Sequence, residues 1–269
     1  AIFDRAGAAK PLGLKPARYR FPRVSPDGRF VAFDIDEERE TNVWVYEFTG
    51  GKAMQGLTFG GNNRYPVWSR DGRWITYQSD RDGDLAIFRQ LADGSGAAER
   101  LTRPEQGAEH IPQSWSRGDG HLLFSVVKDQ QWTLWMLAAG ERRAAPFGDV
   151  RSVDLIDADF SPDGRWVAFA SRRNGNNDIY AVPAEGGPAR QLTWHGGSDI
   201  PQGWSPDGRL LLFSGKRDSG QQQLFAKIVS GLRTNSIQTQ NRVRLRNPYQ
   251  LRRRCCQENY RIRIINLMC

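Results

Sequence analysis

The sequence predicts an all-β fold built from a repeated four-stranded unit, and three observations predict it. The 269 residues include nine Trp, thirteen Phe and 28 Gly, with short apolar runs between turn residues, which favours strands over helices. A turn motif of the form Ser-Pro-Asp-Gly recurs five times, with some variation. The copies are evenly spaced, as in proteins that repeat one supersecondary unit. The predicted fold class is therefore a β-propeller with four-stranded blades.

The serines of the motif mark the repeat, and each follows an aromatic or apolar residue. They are Ser25, Ser69, Ser116, Ser161 and Ser205. Successive serines lie 44, 47, 45 and 44 residues apart, and the third copy contains one inserted residue. A four-stranded propeller blade typically takes about 40 to 50 residues. The spacing thus predicts one blade for each copy.

Each element of the repeat follows from strand and turn chemistry. In the turn, Pro presets φ, Asp accepts local backbone hydrogen bonds and Gly adopts a positive φ. The run after the turn, such as residues 30–33, is apolar at successive positions, which predicts a strand buried on both faces by neighbouring blades. A third strand follows, as in residues 178–182, and then a fourth that ends in Leu-Thr. On this pattern the blade is complete four times and partly present a fifth time.

These residues carry a family resemblance. The pattern Pro-x-Trp-Ser-Pro-Asp-Gly-Arg, followed by Asp-Ile-Tyr, Gly-Gly and Leu-Thr, resembles the TolB-type (WD-like) propeller repeat over residues 1–226. Residues 19–28 and 57–69 are similar to propellers appended to bacterial membrane serine/threonine kinases. Similar propellers occur in periplasmic TolB proteins and in prolyl-oligopeptidase-like proteases. The resemblance implies a bacterial protein-binding propeller in the periplasm or another extracytoplasmic space, with a cytoplasmic location as the alternative.

The two ends of the chain suggest how the ring closes. Residues 1–12 resemble the third and fourth strands of a blade, so we expect the N-terminus to supply outer strands of a closing blade in a six-bladed parent. No sixth Ser-Pro-Asp-Gly stands where the inner strands of that blade should begin, near Tyr249. Unpaired strand edges recruit other chains, so self-association is expected.

The composition changes after residue 226. Residues 227–269 contain ten basic residues, one acidic residue and all three cysteines. We predict a disordered or non-native continuation there, with a degenerate sixth blade and a functional basic arm as alternatives. The remaining body has 28 basic and 29 acidic residues, so no nucleic-acid partner is expected. No apolar run is long enough to span a membrane.

Catalytic and metal-binding motifs are missing from the sequence. It contains no Gly-x-Ser-x-Gly elbow, no phosphate-binding loop and no His-Glu-x-x-His, so no catalytic residue, metal or cofactor is predicted. Residues 80–84 resemble the start of a calcium loop but lack its later Gly and Glu, which favours a polar hairpin turn. The aromatic residues before the serines favour packing between blades over ligand stacking. They are Trp68, Trp115, Phe160 and Trp204.

The loops that lead from one blade to the next are the predicted binding surface. In propellers these loops share a face with the turns between second and third strands, and partners usually bind there. The residues just before the repeated Pro-x-Trp-Ser segment vary between copies, as a binding surface would, although exposed loops also drift without function. The candidate partner-binding residues are Arg64, Glu109, His110, Asp157 and Asp199.

The predicted function is a non-catalytic binding propeller that acts as a sensor or scaffold for a protein or peptide partner. Arg64 and His110 would hold a carboxylate of the partner, and the two Asp residues would hold an amine or a basic side chain. The alternative is the substrate-gating propeller of a prolyl-oligopeptidase-like serine peptidase without its hydrolase domain.

Overall fold

The computed structural model describes residues 2–3, 9–37, 39–48, 54–154, 156–216, 222–229 and 242–244. Regular structure in these ranges consists of 22 β-strands. No described helix is long and apolar enough to cross a membrane. The chain divides into two compact units, and the described part of the first runs from Pro11 to Val153.

The first unit contains three four-stranded antiparallel sheets. A two-stranded sheet of β1 (Ile2–Phe3) and β2 (Ala9–Lys10) precedes it in the sequence and belongs to the second unit. Blade one consists of β3 (Tyr19–Val24), β4 (Phe30–Glu37), β5 (Glu40–Glu47) and β6 (Gln55–Gly56). Blade two consists of β7 (Asn63–Trp68), β8 (Trp74–Ser79), β9 (Ala86–Leu91) and β10 (Glu99–Arg100). Blade three consists of β11 (Glu109–Trp115), β12 (His121–Lys128), β13 (Gln131–Ala138) and β14 (Arg143–Ser152).

The second unit contains two further four-stranded sheets. Blade four consists of β15 (Asp159–Phe160), β16 (Trp166–Ser171), β17 (Asp178–Pro183) and β18 (Arg190–Gln191). Blade five consists of β19 (Asp199–Trp204), β20 (Leu210–Lys216), β21 (Gln222–Ile228) and β22 (Arg242–Arg244). The prediction of an all-β propeller with four-stranded blades is confirmed, and the fifth copy also forms a four-stranded sheet.

Two predictions on domain organisation concern the chain ends. Strands β1 and β2 pair with each other and with no other described strand, and their place in a closing blade stays a prediction. Strand β21 continues past residue 226, and β22 lies within the segment predicted to be disordered or non-native. The boundary at residue 226 stays a prediction, and the three cysteines lie outside the described residues.

The Ser-x-Asp-Gly turns join the first and second strands of the blades. In blade one, Ser25 Oγ donates to Asp27 Oδ1 at 2.6 Å and accepts the backbone N–H of Phe30 at 2.9 Å. The same pair of bonds recurs at Ser69, Ser161 and Ser205. Gly28 adopts a φ of 70°, as the sequence predicts for the last position of the turn. These turns fix where the second strand begins.

The second strands form the centre of the core, because they are covered on both faces. Five successive residues of β8, from Ile75 to Ser79, are buried, and the same holds for β16 from Val167 to Ser171. The predicted burial on both faces is therefore confirmed in blades one to four, whereas buried and half-buried residues alternate along β20 of blade five. The buried runs fix the register between the first and second strands of a blade. The first strands of the blades therefore all begin at the same end of the blade.

Candidate functional site

The predicted residues of the first unit lie where inner strands begin. Arg64 is the second residue of β7 and pairs with Gln78 of β8. Glu109 and His110 open β11, opposite Val127 and Val126 of β12. We call the ends of blades two and three at which β7 and β11 begin the strand-start end. The Ser-x-Asp-Gly turns lie at the opposite end of the same strands.

Arg64 is held only weakly by its neighbours. Its Nη2 donates to Thr41 Oγ1 and to Asn62 Oδ1, each at 3.4 Å, and its buried Nε has no hydrogen-bond partner among the described residues. Hydrogen bonds at this distance lie beyond the usual range of about 2.7 to 3.2 Å. The guanidinium of Arg64 can therefore donate hydrogen bonds to an oxygen of a partner without first breaking a strong hydrogen bond.

A buried carboxylate lies beside Arg64. Asp34 is fully buried, and its Oδ2 accepts the backbone N–H of Tyr65 at 3.1 Å. Its Oδ1 has no hydrogen-bond partner in the described part of the chain. Burial raises the pKa of Asp34 to about 6, against the opposing charges of Arg20 and Arg64. At neutral pH, Asp34 therefore has an acceptor oxygen without a described partner and a negative charge that its neighbours compensate only in part.

His110 combines an anchored backbone with a poorly satisfied ring. Its N–H donates to Leu85 O at 2.9 Å, and its ring centroid lies 5.0 Å from that of Phe124. The buried Nδ1 has no described partner. Burial lowers the pKa of His110 to about 4, so the imidazole is neutral at pH 7. His110 would thus bind a partner by a neutral hydrogen bond, and the predicted grip on a carboxylate cannot come from an imidazolium charge.

The predicted residues of the second unit differ in exposure. Asp157 is half-buried with a φ of 46° and precedes the inner strand β15. Asp199 opens β19, is fully buried, and donates its backbone N–H to Asn177 O at 2.7 Å. Burial raises the pKa of Asp178, and the charge of Asp199 adds to this effect. Asp157 can therefore contact a partner directly, whereas Asp199 lies behind the surface.

The structure corrects the alignment of the candidate positions between blades. The equivalent inner-strand positions are Asn63, His110 and Asp199, which pair with Ser79, Val126 and Gly215 respectively. Each of these partners lies two residues after the aromatic residue of its second strand. Arg64 lies one residue further along its strand. Blade two contains the same one-residue register shift, between Arg64 and Val67, so the inner strands are equal in length from these positions to their Trp residues. The offset arises because the proline of blade two lies two residues before its Trp, whereas the prolines of blades three and five lie three residues before theirs.

Two exposed aromatic residues near the predicted residues were not predicted from the sequence. Phe59 and Trp194 have exposed fractions of 72% and 55%, and each directly follows the Leu-Thr at the end of a blade. Arg103 occupies the corresponding position after blade two. A comparison of the residue after each Leu-Thr would have found them. Exposed aromatic side chains at one repeat position are a feature of protein-binding surfaces.

The aromatic residues before the serines pack between blades, as predicted. Trp68 Nε1 donates to Arg23 O of blade one at 2.9 Å, and Trp204 Nε1 donates to Asp159 O of blade four at 3.3 Å. Trp115 Nε1 donates to Thr76 Oγ1 of blade two at 2.9 Å. These indoles thus support the scaffold and are not available for ligand stacking.

The acidic hairpin at residues 80–84 is a turn between β8 and β9, which confirms that interpretation. The two carboxylate oxygens of Asp80 accept hydrogen bonds from Asn62, and Asp82 and Asp84 form ion pairs with Arg100. Among the described residues, no group of three or more His, Cys, Asp or Glu side chains is arranged to hold a metal ion.

Comparisons with known proteins agree with this architecture. Residues 134–246 match the family model of the Tricorn protease N-terminal beta propeller domain. The chain is 31% identical over 203 residues to the Tol-Pal system protein TolB of Anaeromyxobacter dehalogenans, which covers 71% of this chain and 44% of that protein. It superposes on the crystal structure of TolB from Acinetobacter baumannii with a TM-score of 0.63 at 20% identity, over 80% of this chain and 51% of that chain. The fold is that of a TolB-type β-propeller.

Relatives of this TolB-type propeller include a peptidase. The chain is 26% identical over 199 residues to the uncharacterized peptidase YuxL of Bacillus subtilis, covering 72% of this chain and 29% of that protein. This chain therefore spans less than half the length of both curated relatives. The resemblance to propellers appended to kinases stays a prediction.

Proposed function

We propose that this TolB-type propeller is a non-catalytic binding module that holds a protein or peptide partner at its strand-start end. The observation that carries the proposal is that Arg64 Nε, Asp34 Oδ1 and His110 Nδ1 are buried near the starts of β7 and β11 without described hydrogen-bond partners. Buried polar atoms cost free energy unless they are paired. A bound partner that supplies the missing hydrogen bonds offsets this cost.

The residues of the first unit have complementary roles in this proposal. Arg64 binds a carboxylate or a backbone carbonyl of the partner, and Asp34 compensates part of its charge. His110 supplies a neutral hydrogen bond, and half-buried Glu109 binds an amine or a basic side chain. Phe59 provides apolar contact area beside them.

In the second unit, Asp157 is proposed to contact a partner, whereas buried Asp199 supports the start of β19. The proposed location is the periplasm or another extracytoplasmic space, which the similarity to a Tol-Pal system protein supports. Self-association through strand edges is proposed as a secondary property.

The alternative is a substrate-gating propeller of a serine peptidase, which the similarity to the peptidase YuxL favours. The two functions are distinguished by the gene that encodes the chain. A Gly-x-Ser-x-Gly hydrolase domain in the same reading frame supports the peptidase alternative. A kinase domain with one membrane span supports the binding module.

The proposal is tested by replacing Arg64 with alanine and measuring partner capture from a bacterial extract and a cell-wall digest. We expect Arg64→Ala to reduce capture about tenfold, because a buried Arg in an interface typically contributes more than about 1 kcal/mol. The matched control is Arg73→Ala, which removes an exposed Arg from the turn at the opposite end of blade two. Equal capture by both variants, or loss of capture only together with a lower melting temperature, would contradict the proposal.

A further inference from the structure

A cavity of about 540 Å³ lies between the end of blade two and one face of blade three. Its apolar lining includes half-buried Trp135, with the buried residues Leu101, Phe124 and Leu137 behind it, and His110 lies beside them. The strand residues lie at alternate positions, so they share one face of blade three. A volume of this size falls within the range of about 300 to 1,000 Å³ that is usual for ligand sites.

The corresponding aromatic residues of two other blades are covered by arginine. The guanidinium of Arg81 lies 5.4 Å from the ring centroid of Phe88 in blade two, and that of Arg173 lies 4.5 Å from Tyr180 in blade four. Both arginines belong to the hairpin between the second and third strands. Cation–π contacts of this kind close the apolar surface from within the chain.

Blade three cannot form this cover, because its hairpin is shorter. Strands β12 and β13 are joined by Asp129 and Gln130 alone, with φ values of 50° and 60°. In a two-residue turn of this type, strand pairing continues up to the turn itself. No hairpin residue is then left to fold back over the ring of Trp135. Among the described residues, no cation lies over Trp135. The short hairpin thus leaves the ring of Trp135 without this cover, and blade one has a hairpin of the same length.

Cationic side chains surround the cavity. Arg103 is exposed and has no ion pair in the described part of the chain. Lys128 pairs with Glu105 at 2.9 Å, and Arg142 pairs with Glu99. Both pairs are substantially exposed, and such pairs contribute only about 0 to 1 kcal/mol. These cations can therefore turn to an incoming anion at little cost.

An edge strand beside the cavity favours a peptide as the occupant. Strand β14 is ten residues long, whereas β6, β10 and β18 have two residues each. It pairs with β13 and forms the outer edge of its sheet, and its first four residues are exposed. Ala144 of this strand lines the cavity. An extended peptide that lies along β14 would thus bring alternate side chains to the cavity mouth.

We propose that this cavity binds an acidic peptide segment of the partner, with an aromatic side chain inserted against Trp135 and flanking carboxylates held by Arg103 and Arg142. The proposal rests on the binding function proposed above and names the chemistry of its partner. Aromatic anchors in well-formed pockets commonly dominate peptide and protein binding. The rim charges supply specificity and a faster association rate.

The test is a fluorescence anisotropy titration of the full chain with a labelled acidic pentapeptide that carries a central tryptophan. Two variants address the two parts of the cavity. Ala144→Trp fills its mouth from the exposed edge strand and is expected to weaken binding by more than about tenfold. Arg103→Glu reverses the charge of the unpaired cation and is expected to weaken binding about tenfold, with a smaller effect at high salt.

The matched control is Arg117→Glu, the same charge change at an exposed residue of the turn at the opposite end of β11. It is expected to leave affinity within about twofold, because charges separated by more than about 10 Å are largely screened at 0.1 M salt. A pentapeptide with alanine in place of tryptophan is expected to bind at least about tenfold more weakly. Unchanged melting temperatures establish that the variants are folded.

The proposal is overturned if the chain does not bind the acidic tryptophan peptide, if the alanine peptide binds equally, or if Ala144→Trp binds as the wild type does. These outcomes separate it from the function proposed above. If the peptide fails to bind while Arg64→Ala still reduces capture, only the cavity assignment is wrong. If the peptide binds while Arg64→Ala leaves capture unchanged, the strand-start end is not the partner surface.

Discussion

Replacing Trp115 with alanine is expected to lower the free energy of unfolding by about 3 to 5 kcal/mol. The indole has an exposed fraction of 2% and packs in the core shared by blades two and three. Its Nε1 also donates to Thr76 Oγ1, which is itself fully buried. The substitution therefore creates a cavity and removes a hydrogen bond between two blades.

Chemical denaturation of the full chain measures this effect. The control is Trp194→Ala, because Trp194 is 55% exposed and its loss is expected to change stability by less than about 1 kcal/mol. Trp115→Phe is expected to lie between the wild type and the alanine variant, since it keeps much of the volume and loses the hydrogen bond. Equal losses for Trp115→Ala and Trp194→Ala would contradict the packing of blade three on blade two.

Replacing Asp34 with asparagine is expected to change the free energy of unfolding more favourably at pH 7 than at pH 4, by about 2 kcal/mol. Burial raises the pKa of Asp34 from 3.8 to about 6. Between these values the folded protein binds more protons than the unfolded chain, so the contribution of Asp34 to stability falls as the pH rises. Asparagine carries no charge and keeps an acceptor for the N–H of Tyr65.

The measurement is the difference in unfolding free energy between variant and wild type at several pH values from 4 to 8. His110 acts in the opposite direction, because burial lowers its pKa from 6.5 to about 4 and its contribution is lost as the pH falls through this range. The effect of His110 is the same in the variant and in the wild type, so it cancels in the difference between their free energies of unfolding. Asp149→Asn, at an exposed residue, is the control and is expected to change stability by less than about 0.5 kcal/mol. A difference for Asp34→Asn that does not vary with pH would show that the carboxylate is fully compensated in the folded protein.

The turn and strand pattern made most of the scaffold predictable from the sequence. The Ser-Pro-Asp-Gly turn sets where each second strand begins, and doubly apolar runs identify buried strands. For the same reason, Arg64 and His110 could be located at inner-strand starts. Their alignment was wrong by one residue, because the prolines are not equivalent: Pro66 lies two residues before Trp68, whereas Pro112 lies three residues before Trp115.

Other features of the site depend on contacts that no local pattern contains. Asp34 lies in an apolar strand, and only the packing of blade two shows that Oδ1 lacks a partner. Among the described residues, Trp135 has no cationic cover because blade three has a two-residue hairpin, whereas blades two and four have longer hairpins. This difference in length is visible in the sequence, but its consequence for Trp135 requires the three-dimensional arrangement.

The central claim, that the strand-start end contacts the partner, is tested most directly by photo-crosslinking. Phe59 is 72% exposed, so a photoreactive phenylalanine analogue can replace it without disturbing the core. Illumination in a bacterial extract should give a discrete adduct of the chain with one partner. The same analogue at Arg73, at the opposite end of blade two, should give none. Equal adducts from both positions, or an adduct from position 73 alone, would contradict the claim.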